Sequence, residues 1–152
     1  MKKLLSTHLV ILLSMNCAFA GNWPAWRGED ASGSTTHGNY PSELNHKKNL
    51  LWKAPLPDKG CSTPVVWENS VLLTSPINKE DSVLSFSMGG EKNWQTKIGS
   101  ERKGRHLNGS GSNPSVVTDG NNLYALFKSG NLACLNFDGK IIWKKDLSSY
   151  GK

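Results

Sequence analysis

The sequence is 152 residues long, 37% hydrophobic and 20% charged, a size and composition that suit one soluble domain. Its formal charge of +6 falls to +4 once Lys2 and Lys3 are assigned to a leader. That balance is small and spread along the chain, which argues against a nucleic-acid-binding role, and the cluster Arg102-Lys103-Gly104-Arg105-His106 reads as a solvated loop.

Residues 1–20 read as a secretory signal peptide. Lys2 and Lys3 supply a positive start, Leu9-Val10-Ile11-Leu12-Leu13 an apolar core, and Ala18-Phe19-Ala20 a small-x-small cleavage pattern ending at Ala20. The apolar run is too short to span a bilayer, which takes about 20 residues. Ser14-Met15-Asn16 is a poor lead into a lipidated Cys17. The mature chain is therefore expected to be periplasmic or secreted, with no transmembrane segment. Residues 21–48 form a lead-in, its serine-rich stretch 31–36 flexible. Export also puts Cys61 and Cys134 where disulfides persist. Two cysteines make neither a disulfide framework nor a zinc spacing, and they read as small, semi-buried strand residues. A bridge between them would need Cα atoms within about 7 Å.

From residue 49 onward the chain repeats. Trp52, Trp94 and Trp143 stand in similar apolar-Trp-polar segments, 42 and 49 residues apart, and Gly90 and Gly139 precede the second and third by four residues. Ser62-Thr63-Pro64-Val65-Val66 and Ser112-Asn113-Pro114-Ser115-Val116-Val117 match 50 residues apart. A period of about 40–50 residues made of short strands is that of a propeller blade. The first copy predicts strands over 64–67, 71–75, 83–87 and 93–98, with a loop over 76–81. The second predicts 115–118, 123–127, 132–137 and 141–147. Asp119-Gly120, Ser129-Gly130-Asn131 and Asp138-Gly139 between apolar runs are hairpin signals. Residues 50–56 predict one additional strand. The fold class is all-β, a partial β-propeller of about two four-stranded antiparallel blades plus an N-terminal strand. Each outer-strand tryptophan is expected to pack over the neighbouring blade, so that Trp143→Ala in an intact propeller would cost about 3–5 kcal/mol.

These segments resemble the repeats of pyrroloquinoline-quinone-type propellers. Ala133-Cys134-Leu135-Asn136-Phe137-Asp138-Gly139-Lys140-Ile141-Ile142-Trp143 is close to that family's tryptophan-docking motif, with Asp138 in place of its threonine. Residues 84–94 are a looser copy, Gly89 replacing the threonine and Glu91 the lysine. Asn22-Trp23-Pro24-Ala25-Trp26-Arg27-Gly28 resembles the N-terminal segment of exported propeller proteins, and the whole is similar to the lipoprotein propeller of the outer-membrane assembly machinery. The resemblance implies more blades than these residues supply, so the chain is expected to be an N-terminal fragment. It also implies that residues 50–56 could fasten the last blade of an intact relative.

No catalytic, cofactor-binding or metal-binding residue is expected. His37, His46 and His106 are too scattered for a metal set. Gly109-Ser110-Gly111-Ser112 lacks the following helix and lysine of a phosphate loop. Asn108-Gly109-Ser110 matches a glycosylation acceptor in form only. Trp94 or Trp143 could stack on a planar cofactor, but the repeat itself accounts for both. The expectation is a non-catalytic exported scaffold that binds protein or cell-envelope components through loops at its axial faces, without cofactor. The alternative is a fragment of a quinone-dependent dehydrogenase using pyrroloquinoline quinone and calcium.

Overall fold

The computed structural model describes residues 21–36, 38, 40–104 and 109–150. Residues 1–20, on which the expected signal peptide falls, His37, Asn39, the stretch 105–108 (with His106) and the last two residues lie outside them. Alternating apolar residues between tight turns build two four-stranded antiparallel sheets. Sheet 1 runs in order β1 (Val65–Trp67), β2 (Ser70–Thr74), β3 (Glu80–Ser87) and β4 (Lys92–Ser100). Sheet 2 repeats that order with β5 (Val117–Thr118), β6 (Leu123–Leu126), β7 (Asn131–Leu135) and β8 (Ile141–Asp146). A single 3-10 turn follows at Ser148–Tyr150, and no α-helix occurs among the described residues.

Registers in the two sheets superimpose. The cross-strand row Val65, Leu72, Ser85, Trp94 in sheet 1 becomes Val117, Tyr124, Cys134, Trp143 in sheet 2. The opposite faces carry Val66, Val71, Phe86 and Thr118, Leu123, Leu135 in the same way. Side chains two apart share a face, so each sheet has a front and a back. The front of sheet 1 packs on the back of sheet 2, where Val65, Leu72, Val83 and Ile98 meet Val116, Leu123, Ala125, Phe127, Ala133 and Leu135 in one buried core. A second core lies on the back of sheet 1, formed by Val71, Leu73, Ile77, Leu84 and Phe86 under Trp52 and Ala54.

Three local expectations change. The loop expected over 76–81 is a two-residue hairpin: Ile77 and Glu80 exchange both backbone hydrogen bonds, and Asn78 and Lys79 both take positive φ, 53° and 64°. β3 consequently starts at Glu80. That turn carries no glycine, which hid it from a search for Asn-Gly or Asp-Gly pairs. β5 is two residues long rather than spanning 115–118; ahead of it the Pro114 carbonyl accepts from Thr74 Oγ1 at 2.8 Å, and Ser115 Oγ accepts from the Thr63 amide at 3.0 Å. Residues 50–56 form no strand. Trp52 and Ala54 instead pack by their side chains on the core at the back of sheet 1.

Candidate interaction surfaces

Tryptophan packing joins the repeats. Trp94 on β4 donates its indole N–H to the Phe137 carbonyl at 2.8 Å, and its ring lies over Gly139. A Cβ built on Gly139 would fall 2.6 Å from that ring, and the residue's φ of +79° already favours glycine. Thr96 Oγ1 closes the contact by donating to the Gly139 carbonyl at 2.6 Å. One repeat earlier Trp52 does the same. Its indole donates to the Met88 carbonyl at 2.8 Å, its ring covers Gly90, and it stacks on Phe86 with centroids 6.4 Å apart. The Gly–Trp spacing seen within each repeat therefore joins different partners: each glycine receives the tryptophan of the preceding repeat.

Trp143, the third copy, has no such turn among the described residues. It is 39% exposed, and its ring contact is Tyr124 on its own sheet, at 6.3 Å. With Val117 and Leu126, both about half exposed, it makes the front of sheet 2 an open apolar surface. A shallow groove of about 350 Å³ runs over that surface, lined by Val117, Tyr124, Leu126 and Leu132.

Polar groups between the sheets are saturated by one another. Asp81 at the start of β3 is fully buried; its carboxylate accepts from Ser112 Oγ at 2.7 Å, Asn131 Nδ2 at 2.9 Å and Ser129 Oγ. Three neutral donors around one carboxylate clamp sheet 1 to the β6–β7 turn of sheet 2. The Gly111 amide is taken up by Glu101 Oε1 at 2.8 Å and the Ser112 amide by Ser110 Oγ at 3.1 Å, so an endogenous carboxylate occupies the place a phosphate would need.

The N-terminal segment ties the inner strand edges. Trp23 and Val66 exchange both backbone hydrogen bonds, at 2.7 and 3.0 Å, and the Thr118 amide donates to the Pro24 carbonyl at 3.0 Å. One short segment thus satisfies groups on β1 and β5, one edge strand of each sheet. It leaves Trp26 65% exposed, with the Arg27 guanidinium 6.0 Å from its ring centroid. Beside Trp26 opens a groove of about 390 Å³ walled by Cys61, Asn113, Pro114, Ser115 and Val117. The Asn113 side chain holds its two loops together by accepting from the amides of Cys61 and Ser110.

A family model described as outer membrane protein assembly factor BamB matches residues 34–151. The chain belongs to this family of PQQ-like propeller repeat proteins. No curated protein matches it.

Within this PQQ-like framework the singled-out residues fall apart rather than together. His46 sits in an exposed turn, His37 and His106 lie outside the described residues, and no group of three metal-ligating side chains occurs among the described ones. Cys61 is exposed and Cys134 buried, and no disulfide joins them. Burial pushes the Cys134 thiol above its ordinary pKa, and the Asp119 charge adds to the effect. Asp119 is held below the usual carboxylate range by the amides of Asn122 and Asn121 and by the Tyr124 hydroxyl, which donates to it at 2.9 Å. That hydrogen bond in turn raises the Tyr124 pKa. Arg102 and Lys103 are exposed, as a solvated loop requires. No described helix is long and apolar enough to cross a membrane. The pairing of Trp23 and Pro24 with both sheets escaped sequence reading, because edge-strand partners leave no periodic signal.

Proposed function

We propose that this chain is a non-catalytic, exported scaffold, periplasmic or secreted, that binds protein or other cell-envelope components through the loops at one end of its sheets. One observation carries the reading: the loops entering β1 and β5 and the segment carrying Trp26 converge on an open groove with an exposed tryptophan and an arginine at its rim. Tryptophan and arginine dominate the energetics of protein interfaces, and loops held by a rigid framework are the common place for recognition. The description of the matching family, an outer membrane protein assembly factor, supports a protein partner and an envelope location. The signal-peptide pattern of residues 1–20 supports export.

The test is photo-crosslinking in cells from a reactive residue placed at Trp26, with Lys145 on the exposed β8 as the control position. A discrete adduct with an envelope protein from position 26 alone is the expected result. Absence of any adduct, together with dye reduction by an alcohol or sugar after addition of pyrroloquinoline quinone and calcium, would establish the dehydrogenase reading instead.

A further inference from the structure

We infer that the two ends of the sheets are oppositely charged, and that the basic end is a docking face for an anionic lipid surface. The strands of both sheets run antiparallel in the same order, so the β1–β2, β3–β4, β5–β6 and β7–β8 turns fall at one end. There the Trp67 ring lies against Gly120 and the Trp94 ring against Gly139, which brings those ends of the two sheets together. The β2–β3 and β6–β7 turns fall at the other end with the β4–β5 loop, where Asp81 of sheet 1 meets Ser129 of sheet 2.

Charge divides along the same line. Each turn of the first end exposes a carboxylate, Glu68, Glu91, Asp119 or Asp138, with Lys92 and Lys140 beside them. At the second end the exposed charges of the turns and loop are Lys79, Arg102, Lys103 and Lys128. The carboxylates near them are engaged: Glu101 accepts from the Gly111 amide, Glu80 pairs with Lys97, Asp146 accepts from the Ser148 amide, and Asp81 is buried. The loop is held against both turns. The Glu101 amide donates to the Lys79 carbonyl at 2.9 Å, and Lys128 Nζ donates to the Lys103 carbonyl at 3.0 Å. Four cations from three separate segments are thus fixed on one face. That face is made of strand ends, so it does not depend on what packs against the broad sides of either sheet.

The matching partner is an extended array of negative charge. The cations sit on separate tips rather than around a cavity, and the amide at Gly111 that could help hold one phosphate is taken by Glu101. A bilayer rich in anionic headgroups has the required form, and each Lys or Arg brought near it strengthens partition about fivefold. Presenting the other end would bring its carboxylates to the same surface, so contact selects one orientation. The inference rests on the envelope location proposed above and names a lipid component for this end of the sheets.

Flotation of the mature chain with vesicles reads this directly. At about 0.05 M salt it should partition onto vesicles of equal parts phosphatidylglycerol and phosphatidylcholine, and not onto phosphatidylcholine alone; about 0.5 M salt should release it. Lys79→Gln/Lys128→Gln should weaken the partition about 25-fold, roughly fivefold for each charge. Lys92→Gln/Lys140→Gln removes the same charge from the opposite end and should leave partition within about twofold of wild type. Circular dichroism checks folding, and Arg102→Gln/Lys103→Gln takes the place of the first pair should that pair unfold. Inorganic phosphate at constant ionic strength should not displace the chain. Three results overturn the inference: no partition at low salt, equal losses from the pairs at both ends, or displacement by phosphate, which would mark a single-anion site. Trp26 is untouched in every variant and no protein partner is present, so this test and the crosslinking test fail separately.

Discussion

Sheets 1 and 2 share strand order and register, yet one is covered on both faces and the other on one. In sheet 1 the front row ending in Trp94 is closed over by sheet 2, while the back lies under Trp52. In sheet 2 the back is sealed by sheet 1, while Val117, Leu126 and Trp143 stay open. Strand pairing is thus a property each repeat carries by itself. Burial is a property of two neighbours, and the same tryptophan is a buried anchor or an exposed ring according to whether a glycine turn stands opposite. Repeat arrays behave in this way, their stability summing internal and nearest-neighbour contributions.

The sharpest way to break this comparison is to truncate the two outer tryptophans in turn. Trp94→Ala removes a ring packed on Gly139 and a hydrogen bond to Phe137, and should cost about 3–5 kcal/mol in a denaturant melt. A cost below about 1 kcal/mol would mean the sheets do not depend on that dock. Asp81→Ala comes next. It strips the shared acceptor from Ser112, Ser129 and Asn131 and should destabilise by about 2–3 kcal/mol, without altering the fold of either sheet by circular dichroism.

Trp143→Ala should be far milder in this chain, below about 1 kcal/mol, because its ring is partly in water and contacts mainly Tyr124. The larger cost expected from the repeat pattern requires a turn opposite Trp143, and a loss as large as that of Trp94→Ala would falsify the asymmetry between the sheets. The smallest effect is electrostatic. Asp119 has a folded pKa below its ordinary 3.8, so the stability it contributes is present above that value and is lost as pH falls through the folded pKa. Asp119→Asn should therefore flatten the acid limb of a stability-against-pH curve below about pH 4. An unchanged limb would show that the Asn121 and Asn122 amides hold the carboxylate no better in the fold than in the unfolded chain.

Much of the architecture was legible from period and turn chemistry. Eight of the strands expected around the prolines, glycines and tryptophans form, in the expected order. The Asn78-Lys79 turn was not legible, since two non-glycine residues at positive φ are stabilised by the flanking ladder rather than by local preference. Residues 50–56, expected as a strand that would fasten the last blade of an intact relative, form no strand in this chain. These residues are suited to a strand, but a strand exists only where an edge accepts it. At the candidate surface, Trp26 could be read as part of a motif, while its exposure followed only from Trp23 and Pro24 pairing with β1 and β5.

Sequence alone determined the repeat, the class and the residues able to dock, because alternation, glycine turns and tryptophan spacing act over a few residues at a time. Tertiary structure alone decided which glycine receives which tryptophan, that Asp81 is spent on the neighbouring sheet, and which apolar face stays open. Those outcomes depend on groups some 30 to 50 residues apart meeting in space, and local preferences carry no record of such meetings.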